Sequence, residues 1–555
     1  MKFARMAALP LLIAACTSGS PTRNGLPAPS DNAAKSDPGI TEADLKQRLY
    51  AVAHDSMIGR ATGTIGHIKV TDYIASEMKR MGLQPGGENG TYFQSVPFLK
   101  RVVKEAVISV DGETFKLWDD FVPIHPGAAF RSIDNVPVIF GGIAQDTTKM
   151  ITREQAAGKF VVLINPTQNP FARGANPRGR LETAAGVLTI NSPNALELYR
   201  GAFRNPGPAY MGGPQVTGDR GIPMVGTAAM AEKLMGIRVD ATTTVGTPGK
   251  TVRGRITYTE EPVVARNVIA ILPGSDAALK NTYVAIGAHS DHDPIEPAAV
   301  DHDSLRAFNA LVRARHVELG RDVTEEERAQ IKVNLDSLRA LRPVRRDSIK
   351  NGADDDGSGT VAVLEIAEAM AGAREKPKRS MLFVWHVAEE LGLFGSNHYT
   401  EHPTVPRDSI IAQLNIDMIG RGGPREEKNG GPDYLQLIGW RRLSNQLGDV
   451  IDAVNKQQPQ PFKFDLQYDA AGHPEQYYCR SDHYMYARYG IPVAFFSTGN
   501  HGDYHEVTDE PQYIDYTKLR NVTQLIHDVG KAVANLPTRP VVDGPKPDPR
   551  GQCRQ

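Results

Sequence analysis

At 555 residues, 40% of them hydrophobic, and with a formal net charge of −1, the chain is long enough for more than one domain with a well-filled core. The near-neutral balance, with basic residues spread along the chain, excludes the electrostatic footprint expected of a nucleic-acid binder or of a protein held on an anionic membrane face. Apart from Cys16, only Cys479 and Cys553 are present. Two thiols so distant, one of them in a polar tail, predict no disulfide framework, and Cys479 reads as a small buried side chain.

The first element is "MKFARMAALPLLIAAC", in which Lys2 and Arg5 precede a short apolar run. It is too short to span a bilayer, so residues 1–16 read as a cleaved export signal. Its ending, Ile13-Ala14-Ala15-Cys16, is similar to a bacterial lipobox. That likeness implies a lipid on Cys16 and a periplasmic, outer-membrane-anchored lipoprotein. Residues 17–40, rich in Ser, Pro, Asn and Gly, read as a flexible tether.

Residues 41–129 read as the N-terminal part of the main domain. Val70, Tyr73, Ile74, Met78 and Met81 follow helical spacing and Gly82 signals a stop; short strands are expected over 100–125. Over 130–250 the runs "VPVIFGG", "GKFVVLINP", "AAGVLTINS" and "GIPMVG" are separated by Gly, Pro and Asn, which predicts an inserted β-rich unit. From 251 to 540 the rhythm is strand, loop, helix, strand. "NTYVAIGAH", "SMLFVWHVAEE", "SIIAQLNIDMIG" and "GIPVAFFSTG" are near-continuous apolar runs, and "GTVAVLEIAEAMAG" has helical spacing. The expected class is α/β, a mainly parallel mixed sheet sandwiched by helices. A charged stretch of about 60 residues, 292–351, is too long for a plain loop and predicts a helical pair standing over the site, or else a solvated insertion. Residues 541–555 read as a disordered tail.

In such sheets sites gather at the carboxyl ends of the strands. There the text offers His289 and Asp291 in "AHSDHD", three carboxylates in "NGADDDGSG", the adjacent Glu389 and Glu390, Asp417 in "NIDMIG", and His501 and His505 in "STGNHGDYHEVTDE". So many carboxylates at one end of a sheet need cations, or they take up protons instead. With His289, Asp355, Glu390, Asp417 and His505 as ligands, three carboxylates and one hydroxide balance two divalent ions. Mixed imidazole and carboxylate donors suit zinc, with manganese or cobalt as substitutes. Consecutive side chains at a strand end point to opposite sides, so Glu390 is expected to bind metal and Glu389 to act as general base. Asp291 is expected to hold the second nitrogen of His289.

These residues, in this order, resemble the M28 family of zinc peptidases, through "AHSDH", "NGADDDGSG", "AEELGLFGS", "NIDMIG", "RSDHYMYARYGIPVAFFSTG" and "YHEVTD". The resemblance implies a zinc-exopeptidase fold, a protease-associated domain at 130–250, and a peptide substrate. It also implies a two-zinc site in which His289 and Asp417 hold one ion, Glu390 and His505 the other, and Asp355 bridges. Asp291 and Glu389 match the family's two catalytic acidic positions. In "ADDDG" Asp356 stands where Asn is common and competes with Asp355; His501 competes with His505. The expected activity is an aminopeptidase. A carboxypeptidase using Arg421 or Arg425, a glutaminyl-cyclase-like enzyme with one zinc, and a non-catalytic binding protein are the rivals. "HYTEH", His398 to His402, imitates another zinc-peptidase motif and is expected to be a surface helix; His386 is expected to be packed core, and Ser481, Asp482 and His483 supporting or packing residues.

Overall fold

A computed structural model describes residues 38–124, 133–144, 146–166, 178–191, 193–212 and 221–555. The expected export signal, Cys16 and most of the tether lie outside the described residues.

The central sheet is built on β1 (Arg266–Leu272), β2 (Tyr283–His289), β3 (Ser380–His386), β4 (Ile410–Ile416), β5 (Tyr434–Ile438) and β6 (Val493–Ser497). Across the sheet they run β1-β3-β2-β4-β6-β5. The inner four are parallel, and β1 and β5 flank them antiparallel. Every residue of β3 and β4 is buried, which is why both read as unbroken apolar runs rather than alternating ones.

On one face lie α1 (Glu42–Val52), α2 (Ile65–Arg80), α3 (Gly359–Gly372) and α4 (Tyr516–Ala534). Leu45, Leu49, Val361, Leu364, Leu519 and Val522 belong to the same core cluster as the strand residues. Helix α3 is buried along almost its whole length, so its two glutamates need partners. Glu365 and Glu368 both pair with Arg48 of α1, and Arg80 of α2 reaches Glu368 at 2.9 Å. This ion network fastens the N-terminal helices to the domain. The opposite face is covered by Phe394–Glu401 and His483–Ala487 through Tyr399, Tyr484 and Tyr486.

A second sheet occupies Phe98 to Val263, wider than the expected 130–250. Its boundary is a 13-residue strand, Phe98–Val110, paired antiparallel with Pro248–Val263 from Phe98↔Val263 to Val110↔Val252. These strands are half-exposed and carry many charges, so their apolar signal is weak and only short strands are legible there. The sheet has its own core around Phe121, Phe140, Phe160 and Leu188. It meets the central domain where Phe98 and Tyr210 pack on Phe394, the Tyr210–Phe394 rings 4.8 Å apart.

The 292–351 insertion forms three helices, not a pair: His302–Leu319, Glu325–Gln330 and Leu335–Leu341. Its ends are tied by antiparallel pairing of Val300–Asp301 with Arg346–Asp347. It packs beside the site, where Arg306 and Asn309 hold Asp503.

Two expectations are overturned at the C-terminus. Cys479 and Cys553 form a disulfide, with Cα atoms 5.8 Å apart and 74 residues of separation. The tail after 541 is docked rather than free: the Gln555 side chain accepts the Tyr478 N–H at 2.9 Å and donates to the Tyr468 carbonyl at 2.9 Å. Distance in sequence says nothing of distance in space, and after α4 the chain runs back across the 440–480 region.

Candidate metal centre and its cleft

The expected ligands come together from five separate segments. His289 Nε2, at the end of β2, lies 3.1 Å from Asp355 Oδ1 and 3.8 Å from Asp417 Oδ1, just beyond β4. On the other side of Asp355, His505 Nε2 lies 3.0 Å from Asp355 Oδ2 and 3.1 Å from Glu390 Oε2. Asp355 therefore stands between two imidazoles. His505 Nε2 is thus within 3.1 Å of two carboxylates. A buried imidazole nitrogen facing two carboxylates at this range is a donor set that fits a metal ion once its proton is displaced.

Glu389 and Glu390 do not extend β3, which ends at His386. The turn that carries them depends on Ala388, at φ 58°. Met418, directly after Asp417, and His505 itself also hold positive φ, at 59° each. Non-glycine residues seldom adopt this region, and strain of this kind concentrates where a side chain must be aimed. Gly352, itself at φ 52°, is required on a second ground as well. A Cβ there would meet the Asp355 carbonyl at 2.3 Å and the His292 ring at 2.5 Å.

Asp356 does not share the place of Asp355. Its carboxylate accepts the backbone N–H groups of His289 (3.2 Å), Gly359 (2.9 Å) and Met418 (3.2 Å), so it anchors three segments beneath the site. Asp291 departs from its expected role. The carbonyl oxygen of Asp291, not its carboxylate, meets His289 Nδ1 at 3.1 Å. The carboxylate instead accepts the Glu389 N–H at 3.2 Å and the Thr62 hydroxyl at 3.1 Å, which positions the glutamate turn. Ser481 donates to Asp417 Oδ2 at 2.7 Å and so orients that carboxylate.

Three contributors were missed from sequence. His292 Nδ1 sits 2.7 Å from Glu390 Oε1, and with Asp355, Glu390 and His505 it forms one group of metal-capable side chains. The signal was available, since His292 lies in the same "HSDH" as His289. Asp509 accepts the N–H groups of Asp354 (2.9 Å) and Asp355 (3.2 Å). Arg60, wholly buried at φ 57°, donates to the carbonyls of Ser290 (3.3 Å), Asn351 and Gly352 (2.9 Å), stitching two ligand loops together. A lone arginine 230 residues before its nearest partner loop carries no sequence signal.

Electrostatics reflect a crowd of acids. Burial drives the Glu389 carboxyl well above its ordinary range, reinforced by Asp417 and Glu390 and opposed by His289. Burial likewise raises Asp291 to about 6. Asp355 is pushed up by burial but held well below the usual range by His289 and His505. For His505, burial lowers the pKa, yet Asp355 and Glu390 lift it to about 10. Without a metal the imidazoles serve as counter-cations; metal binding would displace those protons.

A cleft opens onto Asp355, Glu389, Glu390 and Asp417, walled by Tyr477, Tyr504 and Phe495. Arg480 is the one cationic side chain lining it among the described residues, and its guanidinium is 3.3 Å from Glu475. Arg421 is buried and committed to Glu426 (3.1 Å) and Asp503 (3.0 Å), and Arg425 to Asp322 (2.6 Å). His501 Nε2 faces Asp354 at 3.3 Å and is grouped with Glu426 and Asp503 rather than with His505. His386 is core, 3.0 Å from the Tyr486 hydroxyl. His398 approaches Tyr210 of the second sheet and takes no part in the metal-capable groups.

Imidazole and carboxylate donors gathered at the carboxyl ends of a mainly parallel sheet make a candidate metal site on an α/β domain. Residues 326–530 match the model of Peptidase family M28. Over 81 residues, 14% of this chain, it is 44% identical to leupeptin-inactivating enzyme 1 of Streptomyces exfoliatus, of which 18% is covered. Over 205 residues, 36% of this chain, it is 28% identical to a probable leucine aminopeptidase of Arthroderma otae, of which 46% is covered. The chain thus spans less than half the length of these curated relatives. Among solved structures, a zinc aminopeptidase from Bacillus subtilis is similar over 89% of this chain and 95% of its own, at 16% identity and a TM-score of 0.47.

Proposed function

We propose that the protein is a zinc-dependent aminopeptidase that hydrolyses the N-terminal residue from peptides. The observation that carries this reading is the placement of Asp355 between His289 and His505, with Glu390, Asp417 and Glu389 around it on the floor of one cleft. His289 and Asp417 would hold one ion, His505 and Glu390 a second, and Asp355 both. When bound, the metal supplies Lewis acidity for the scissile carbonyl and an acidified water. Glu389 lines the same cleft and would serve as the base that accepts a proton from water and returns it to the leaving amine. Ser481 and His292 orient Asp417 and Glu390, and Asp291 sets the Glu389 turn through its backbone. The anionic floor suits a substrate's free α-ammonium group.

The carboxypeptidase reading needs a cation for the substrate's terminal carboxylate. Arg421 and Arg425 are engaged elsewhere, which leaves Arg480, on the cleft wall beside Glu475, as the cation that reading would use. The second sheet, as a protease-associated domain, and a lipid anchor at Cys16 complete the proposal: a periplasmic exopeptidase tethered to a membrane.

The test is hydrolysis of paired peptides, one with a free N-terminus and one N-acetylated, alongside metal content. Cleavage of the free peptide alone, with zinc lost from the chain when His505 is replaced by Ala, supports the reading. Equal cleavage of the acetylated peptide from its other end moves the function to a carboxypeptidase, and a metal-free inactive protein overturns it.

A further inference from the structure

A second donor cluster lies outside the cleft, where the 292–351 insertion meets the domain that carries it. One nitrogen of His302 and one oxygen each of Asp347 and Glu510 lie within 4.8 Å of one another. All three residues are buried, His302 and Glu510 completely and Asp347 to 3% exposure. His302 Nδ1 stands 3.1 Å from Asp347 Oδ2, while Nε2 of the same ring is buried without a hydrogen-bonding partner. Asn351, which donates to Asp55 at 2.9 Å and interacts with Glu510, leaves a second buried orphan, its Oδ1.

Charge points the same way. Glu510 feels Asp347 and Asp55 as neighbouring anions and Arg345 as the neighbouring cation, and Arg345 also lies 3.3 Å from Asp303. Two carboxylates packed together out of water need partners; Asp347 has His302 and the Ile349 N–H at 3.1 Å, Glu510 has Asn351 and Arg345, and the buried His302 Nε2 still lacks one. A divalent ion would neutralise Asp347 and Glu510 together and draw one imidazole nitrogen into the same site.

We propose that His302, Asp347 and Glu510 bind a transition-metal ion of the zinc class, separate from the cleft. One imidazole with two carboxylates favours zinc or manganese over calcium or magnesium, which prefer oxygen alone. Each ligand comes from a different place. His302 begins the insertion's first helix, Asp347 ends its closing strand, and Glu510 follows Asp509, which holds the backbone N–H groups of Asp354 and Asp355. The ion is therefore structural. It bolts the insertion to the loop behind Asp355.

Zinc is counted by mass spectrometry on the full-length chain after gel filtration, for wild type, His302→Ala and His505→Ala. The expected result is one equivalent lost in His302→Ala, independently of any loss in His505→Ala, with both losses in the double variant. Equal zinc in wild type and His302→Ala overturns this site while leaving the cleft untouched. A loss in His302→Ala with none in His505→Ala sinks the cleft reading and not this one. Should His302→Ala fail to fold, zinc-edge anomalous diffraction from wild-type crystals decides. A peak between the three side chains is expected, and its absence overturns the proposal.

Discussion

The central sheet and the second sheet each contain four adjacent parallel strands, yet their carboxyl ends carry different chemistry. In the second sheet, Ile133–Ile143, Phe160–Ile164, Gly186–Ile190 and Ile222–Gly226 run parallel side by side. They lead into Ala144, Asn165, Asn191 and Thr227, and among the described residues none of the metal-capable groups falls between 98 and 263. In the central sheet the equivalent ends lead into His289, Glu389 and Glu390, Asp417 and the His505 loop. A parallel sheet offers a place for a site in both cases, because its strand ends face one crevice. What makes a site is the set of side chains placed there, and the backbone strained to aim them.

The comparison can be broken at its strongest point by Glu389→Gln. If the central sheet's chemistry depends on this carboxylate, kcat on an aminoacyl amide falls by roughly 10²–10⁴-fold while zinc content is retained. Unchanged kcat would remove Glu389 from its role as base. Chelation of the metal should abolish activity in wild type, and zinc should restore it.

Next in size is Cys479→Ser. The disulfide pins the tail beside Tyr477 and Arg480, both of which line the cleft. Its loss should cost about 2–5 kcal/mol in urea unfolding, and KM should rise more than kcat falls. A variant as stable as wild type would mean that the docked tail, not the covalent bond, supplies the constraint.

A smaller effect concerns pH. Burial holds His483 neutral, at about 3, against a usual value near 6.5. Between these values the unfolded chain binds a proton that the native chain refuses. His483 therefore makes stability rise with pH from about 3 to 6.5, and its contribution is complete above that. His483→Phe, which can keep the stack on Phe495, should reduce that slope by one proton, about 1.4 kcal/mol per pH unit. Superimposable slopes for the two proteins would exclude it.

The smallest expected effect probes the second sheet at its own strand end. Thr227 caps the helix Ala228–Met235 by accepting the Met230 N–H at 3.1 Å. Thr227→Ala should cost about 1 kcal/mol of stability and leave kcat alone. A fall in kcat of tenfold or more would show that the two sheets are functionally coupled.

The sequence by itself determined the central domain and most of its site. Strands buried on both faces have to be written as apolar runs, so β2, β3, β4 and β6 were legible, and charged residues abruptly ending such runs have no cheap explanation other than chemistry. His289, Glu390 and Asp417 stand out on that ground, whereas choosing Asp355 among three aspartates and His505 over His501 rests on the family resemblance of "DGSG" and "YHEVTD". Tertiary structure alone decided the rest, because it depends on proximity that sequence spacing does not encode. The half-exposed, charged strands Phe98–Val110 and Pro248–Val263 show their pairing only once folded. Cys479 finds Cys553 because the chain doubles back after α4. Asp356 turns to three backbone N–H groups while its neighbour Asp355 turns to two imidazoles, a choice made by geometry between adjacent identical side chains. Arg60 and Asp509 act through backbone groups, whose positions no pattern of residue types records.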